Sequence, residues 1–295
     1  MTNLKTYDYD KPDDCNDFAF GEKNPRRDTD FYATEHILEL QTIANFLDYV
    51  DEEIRENLPD YRPGAGDTKQ YFCDATNQLW TGLRGADQFE MDGVKRNPID
   101  HILAVMPSND NDHVDEFVLL ETGVNAAKKG IWSKGNINAD ETMKQYMEAD
   151  PDRAVRNLKD VMSAMKYMQD PTIKERLIKE KKRVAARLKE LDEDKMPKLV
   201  RHTGDEKWST WKSQGLEAKW NTFIKERATN AKDKAVKYLD DNIKDLRESY
   251  VTSTNKEQAK GPSEAARQLK TIIEKIEKLD AEWKRYKPNS WTNPF

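Results

Sequence analysis

The four histidines, His36, His101, His113 and His202, are the natural starting points for acid–base or metal chemistry. None has a histidine four residues away, and His-Glu-x-x-His is absent, so the spacing does not suit zinc. Thr34-Glu35-His36-Ile37-Leu38-Glu39 places His36 and Glu39 three apart, on one face if the segment is helical. There they could act as a base and the carboxylate that orients it, or simply form a local helix contact. Asp100-His101, with Glu116 and Glu121 further on, suggests a metal-dependent nuclease only if a lysine follows two residues after the acid. That position is Gly123, and Lys128 lies too far along. Asn109–Asp112 has oxygen ligands but lacks the twelve-residue calcium loop with its glycine and terminal glutamate, and reads as a turn. Gly-x-Ser-x-Gly, the P-loop and Gly-x-Gly-x-x-Gly are all missing; Gly64-Ala65-Gly66-Asp67 is half a phosphate motif at most. No catalytic residue is assigned, and neither cofactor nor metal is expected. The alternative to a non-catalytic role is a secreted toxin or hydrolytic enzyme with its site near His36, Glu39 and His101.

The elements that would position these residues fall into two textures. Residues 1–30 are polar and rich in Asp, Pro and Arg, and read as an irregular arm anchored by Phe18 and Phe20. A helix is predicted from Thr34, as N-cap, to just before Pro59, with Ile37, Leu38, Ile43, Phe46, Leu47 and Val50 on its apolar face. Pro63–Gly66 marks a loop, and Tyr71–Cys73 and Leu79-Trp80 are short aromatic stretches. Ile99–Met106 reads as a buried strand ending at Pro107, Ser108–His113 as a turn, and Glu116–Glu121 as the hairpin partner. A short helix follows over Asn125–Trp132. From Asn138 onward the apolar spacing is helical throughout: Ala139–Glu148, Asp152–Gln169, Pro171 to Pro197, Leu216–Ser249 and Pro262–Tyr286. The fold class is therefore mainly α, an N-terminal α+β region with a small antiparallel sheet followed by a bundle of long amphipathic helices, with a boundary near residue 135.

Charge divides at the same place. Residues 1–135 hold 14 Lys+Arg against 27 Asp+Glu, a balance of −13, and residues 136–295 hold 35 against 28, a balance of +7. Three readings fit this split: each half has its own solvated face, the two halves dock through opposite fields, or an anionic partner sits on the C-terminal half. The basic run Lys179–Lys189 and the tryptophans Trp208, Trp211 and Trp220 together suggest nucleic-acid binding, but glutamates interrupt the run and it falls on the outside of an amphipathic helix. Nucleic acid is thus not the expected partner. No apolar stretch approaches a membrane span, and the first residues carry no secretory apolar segment. Cys15 and Cys73 are the only cysteines: too few for a disulfide scaffold, and compatible with one bridge or with two free thiols.

The order Cys15, Thr34–Gln41, Cys73, Trp80, Pro98-Ile99-Asp100-His101-Ile102, Glu116–Glu121, Asn125-Ala126-Ala127-Lys128 and Trp132, then Met165–Asp170 before a new helix, resembles a known arrangement. It is similar to the region that follows the catalytic barrel in fungal killer-toxin-like, class V-type chitinases of glycoside hydrolase family 18, and to related stand-alone fungal proteins. Thr-Glu-His-Ile-Leu-Glu is its one compact motif. The acidic motif of those enzymes, Asp-x-x-Asp-x-Asp-x-Glu, is absent here, so the resemblance carries over no catalytic residue. It implies an accessory, non-catalytic module with a protein, glycan or cell-surface partner, an extracellular setting, and a bridge between Cys15 and Cys73.

Overall fold

The structure, a computed structural model, describes residues 4–12, 14, 16–24, 27–56, 89–91, 94–108, 112–198, 213–287 and 291–295. Cys15, Cys73, Trp80, Trp208, Trp211, the 63–66 loop and Asn109–Asn111 lie outside them, so the expectations placed there are not described further.

The chain forms a small mixed sheet and then an array of long helices. Strand β1 (Lys5–Tyr9) lies inside the sheet, paired antiparallel with β2 (Phe20–Glu22) and parallel with β6 (Val118–Glu121); β6 pairs antiparallel with β3 (Tyr32–Glu35). The register sets Tyr7 beside Leu120 and Glu35 beside Val118. The expected irregular arm is thus an interior strand. Its buried Asp8 is tolerated because it is paired, accepting two hydrogen bonds from the Arg27 guanidinium and one from the Tyr32 hydroxyl. A separate hairpin joins β4 (Phe89–Met91) to β5 (Val94–Arg96).

Two more expectations are corrected here. Thr34 is in strand β3, and helix α1 runs Gln41–Glu56, so Thr34 is not its N-cap and His36 and Glu39 precede the helix. Ile99–Met106 is not a strand: Pro98–Leu103 is helix α2, because Pro98 suits a first helical turn and the Asn97 side chain accepts the Asp100 N–H. The hairpin expected between that segment and Glu116–Glu121 therefore does not form, and β6 pairs with β1 and β3 instead.

Beyond β6 the periodicity holds closely. Helix α3 (Thr122–Trp132) leads to α4 (Asp140–Ala149), α5 (Pro151–Gln169) and α6 (Pro171–Glu190), which ends in a wide turn at Leu191–Lys195. Then come α7 (Leu216–Tyr250), the short α8 (Ser253–Gln258) and α9 (Glu264–Tyr286). Asp150 and Asp170 cap α5 and α6, each followed by a proline at the first helical position. Gly215, at φ 67°, lets the chain enter α7, and buried Asp192 accepts the N–H of Gln214 just before the helix and that of Leu216, its first residue. Among the described residues no helix is long and apolar enough to cross a membrane.

One continuous apolar core runs from Tyr7 of the sheet to Trp291, so the acidic and basic regions share it. Trp220 is fully buried against Phe46 of α1, and Trp132 of α3 lies 5.9 Å from Trp291. Ion pairs add to the junction. Arg183 of α6 forks onto Glu116 at 2.9 and 2.5 Å and donates to the Val105 carbonyl at 3.0 Å, and Lys219 of α7 meets Glu53 at 2.6 Å. Arg176 donates to the Glu116 carbonyl at 3.1 Å. Part of the basic run on α6 is thus spent on holding the acidic region.

Candidate functional site

The motif around His36 is organised by a residue from elsewhere in the chain. Strand β6 passes directly into α3, so Lys128, six residues along that helix, returns over the end of β3 by about 9 Å of helical rise. Lys128 is 1% exposed. Its ammonium is bonded to the Glu35 carboxylate, to the His36 carbonyl at 2.9 Å and to Glu39 at 3.1 Å. Burial alone would lower the Lys128 pKa; Glu35 and Glu39 more than reverse this and hold it above the usual lysine value. One cation does not balance two carboxylates, and the surplus falls on Glu35, which burial lifts to about 7 against the pull of Lys128.

His36 and Glu39 are therefore neighbours, as their spacing suggests, but not as a base and its orienter. Glu39 is turned to Lys128, and among the described residues no hydrogen bond joins it to His36. The His36 ring packs edge-on against Phe117 with centroids 4.6 Å apart, and its Nδ1 is buried without a partner. Burial and the nearby Lys128 keep His36 below the ordinary histidine pKa.

His101 is elsewhere. It is fully buried on α2, with Nε2 3.1 Å from Glu190 at the end of α6; Glu190 also receives Arg187 at 2.8 Å and Lys195 at 3.3 Å. The segment after His36 touches α6 at Glu180, whose Oε2 accepts the Leu38 N–H at 3.0 Å. Ten residues of α6 separate the two contacts, about 15 Å along the axis. His36 and Glu39 thus come together, while His101 belongs to another cluster. His113 sits 3.9 Å from Glu116.

A second polar centre escaped the sequence reading. Asp160 of α5 accepts the Tyr9 hydroxyl at 2.7 Å, and burial lifts its carboxyl to about 7, with Glu121 adding to the rise. Glu121 caps α3 by accepting the Val124 N–H at 2.8 Å, and burial raises it too. Gly123 lies between these carboxyls: a Cβ there would fall 2.6 Å from Asp160 Oδ2 and 3.1 Å from Glu121 Oε2. A carboxyl that holds its proton near neutrality has the chemistry of a general acid or base. Here it also ties β1 to α5. Among the described residues no group of three His, Cys, Asp or Glu is placed to hold a metal.

A cleft of about 440 Å³ opens between residues 136–138, α4 and α7, lined by Asn138, Lys144, Met147, Tyr238, Asp241 and neighbours, and none of His36, Glu39 or His101 reaches it. Compared with protein-family models, curated proteins and solved structures, the chain matches none.

Proposed function

We propose that the chain is a non-catalytic interaction protein, an accessory module of the kind its motif order resembles, which binds a protein or glycan partner at a cell surface. The observation that supports this is the Lys128 cluster. It engages the Glu39 carboxylate and the His36 carbonyl in fastening the sheet to the helices, about 15 Å along α6 from the level of His101. The Glu39 carboxylate and the main chain at His36 are thus committed to a structural joint. Outward, the long helices present closely mixed charges, among them Lys237–Asp241, Lys244–Glu248 and Lys270–Glu274. Such a surface suits polar, reversible contacts.

The test is retention of the purified chain on insoluble chitin, β-glucan, mannan and intact fungal cells, with soluble products measured in the same samples. Saturable retention on at least one surface without product is the expected result. Product release that disappears in H36A or E39A, with circular dichroism unchanged, would establish the hydrolytic alternative. Failure to bind every surface would reject the cell-surface reading.

A further inference from the structure

The contact between Leu38 and Glu180 lies where acid outnumbers base. Glu180 is 0% exposed; its Oε2 accepts the Leu38 N–H, and its Oε1 has no hydrogen-bond partner. The charged and titratable groups facing it come from each element around it: Lys128 of α3, Glu116 from the turn before β6, Arg183 one turn along α6, and Tyr167 of α5. Both cations are committed. Lys128 serves Glu35, Glu39 and the His36 carbonyl, while Arg183 serves Glu116 and the Val105 carbonyl. The Tyr167 hydroxyl is buried and also without a partner. A carboxylate in such a place lacks a counter-charge, whereas the neutral acid keeps an oxygen for Leu38 and carries its proton on the other.

We propose that the 36–40 segment, between β3 and α1, is a proton-controlled latch: it is seated on α6 while Glu180 holds a proton, and unseats when that proton leaves for solvent and the carboxylate must reach water. Unseating would uncover Ile37 and Leu38, both buried, next to Leu40, which is already exposed. The mildly acidic form is thus closed, and the alkaline form offers a short apolar segment. Burial sets the switch near neutrality, lifting Glu180 to about 7. Because this value lies above that of an exposed glutamate, about 4.3, the seated state is favoured fully below the lower value and progressively less as pH rises through the upper one. From pH 5.5 to 8 the opening equilibrium should increase roughly 30-fold.

Hydrogen exchange of the full chain over that range, corrected for intrinsic rates and read in peptides covering residues 36–40, tests the latch. The wild type, D160N and E35Q should show the rise, and E180Q should lose most of it, because its amide cannot ionise and only Glu35 is left to titrate near neutrality beside the segment. Should E180Q fail to fold, carbon-13 NMR of the glutamate-labelled wild type and E35Q decides: the near-neutral carboxyl that remains in E35Q must share its midpoint with the exchange. A flat wild-type profile, an unchanged slope in folded E180Q, or glutamates that all titrate below pH 6 would overturn the proposal.

Discussion

Replacing Lys128 by methionine examines the joint most directly. Methionine is similar in length and unbranched, so it fills the space while removing the charge. Glu35 and Glu39 then lose their shared cation, and the His36 carbonyl loses a donor. Removing one partner of a buried ion pair costs about 3–5 kcal/mol, mainly because a charge is left uncompensated. Glu39 is the more exposed of the two carboxylates and recovers some hydration, so most of the loss falls on Glu35. K128M should therefore lose about 3–5 kcal/mol at pH 8, about 10 °C in Tm for a chain of this size. At pH 5 the loss should shrink to about 1–2 kcal/mol. Without its cation the folded-state pKa of Glu35 moves further above the unfolded value, so the added penalty builds as pH rises and fades as the carboxyl takes up a proton. Urea unfolding followed by tryptophan fluorescence at pH 5, 6.5 and 8 gives the profile. E35Q and K128M/E35Q complete a double-mutant cycle in which the double variant recovers much of the loss. A deficit under about 1 kcal/mol at pH 8 that is unchanged at pH 5, or a double variant no better than K128M, would refute the reasoning.

Asp160 makes its own pH prediction. Its folded pKa of about 7 exceeds the unfolded value, so wild-type stability should fall as pH rises from 4.5 to 8. D160N keeps an acceptor for Tyr9 and should gain on the wild type by about 2–4 kcal/mol over that range; parallel profiles would count against the assignment. G123A places a Cβ 2.6 Å from Asp160 Oδ2 and should cost about 1–3 kcal/mol in thermal melts, less in G123A/D160A. R183A removes the fork to Glu116 and the bond to Val105, for an expected loss of about 2–3 kcal/mol. R183K should restore little of it, since an ammonium has no planar fork.

The long helices were legible because two signals agreed in them. Apolar residues recur at helical spacing through α5, α6, α7 and α9, and Asp-Pro at 150–151 and 170–171 marks two of the starts. The sheet was legible only in part: Glu116–Glu121 reads as a strand and forms β6, but its partners β1 and β3 do not show in the sequence. Lys5-Thr-Tyr-Asp-Tyr has the composition of a surface segment, and what buries Asp8 is Arg27 and Tyr32, a pairing that appears only in three dimensions. Ile99–Met106 misled because a short apolar run suits a strand or a buried helix equally, and Asn97-Pro98 was the overlooked sign. The joint was half legible. His36 and Glu39 were singled out, but their organiser lies about 90 residues away in the chain. A clue was present: Lys128 stands among Val124, Ala127 and Ile131, and Glu180 between Leu177 and Val184, each a charge within an apolar stripe. A charge in such a position needs a partner from another element.

The parallel pairing of β1 with β6 also bears on how the molecule is made. Lys5 aligns with Val118 and Tyr7 with Leu120, so the inner edge of β1 waits for more than a hundred residues to be synthesised before its neighbour exists. At about 5–20 residues per second, the nascent chain spends about 5–20 s with that strand unmated on one side. The tyrosines of β1 wait longer still, since Tyr167 and Asp160 belong to a later helix. Contacts this distant in sequence slow folding. The ribosome-bound chain is thus an open substrate for chaperones, and slowing translation between residues 10 and 118 lengthens that exposure without changing a single native contact.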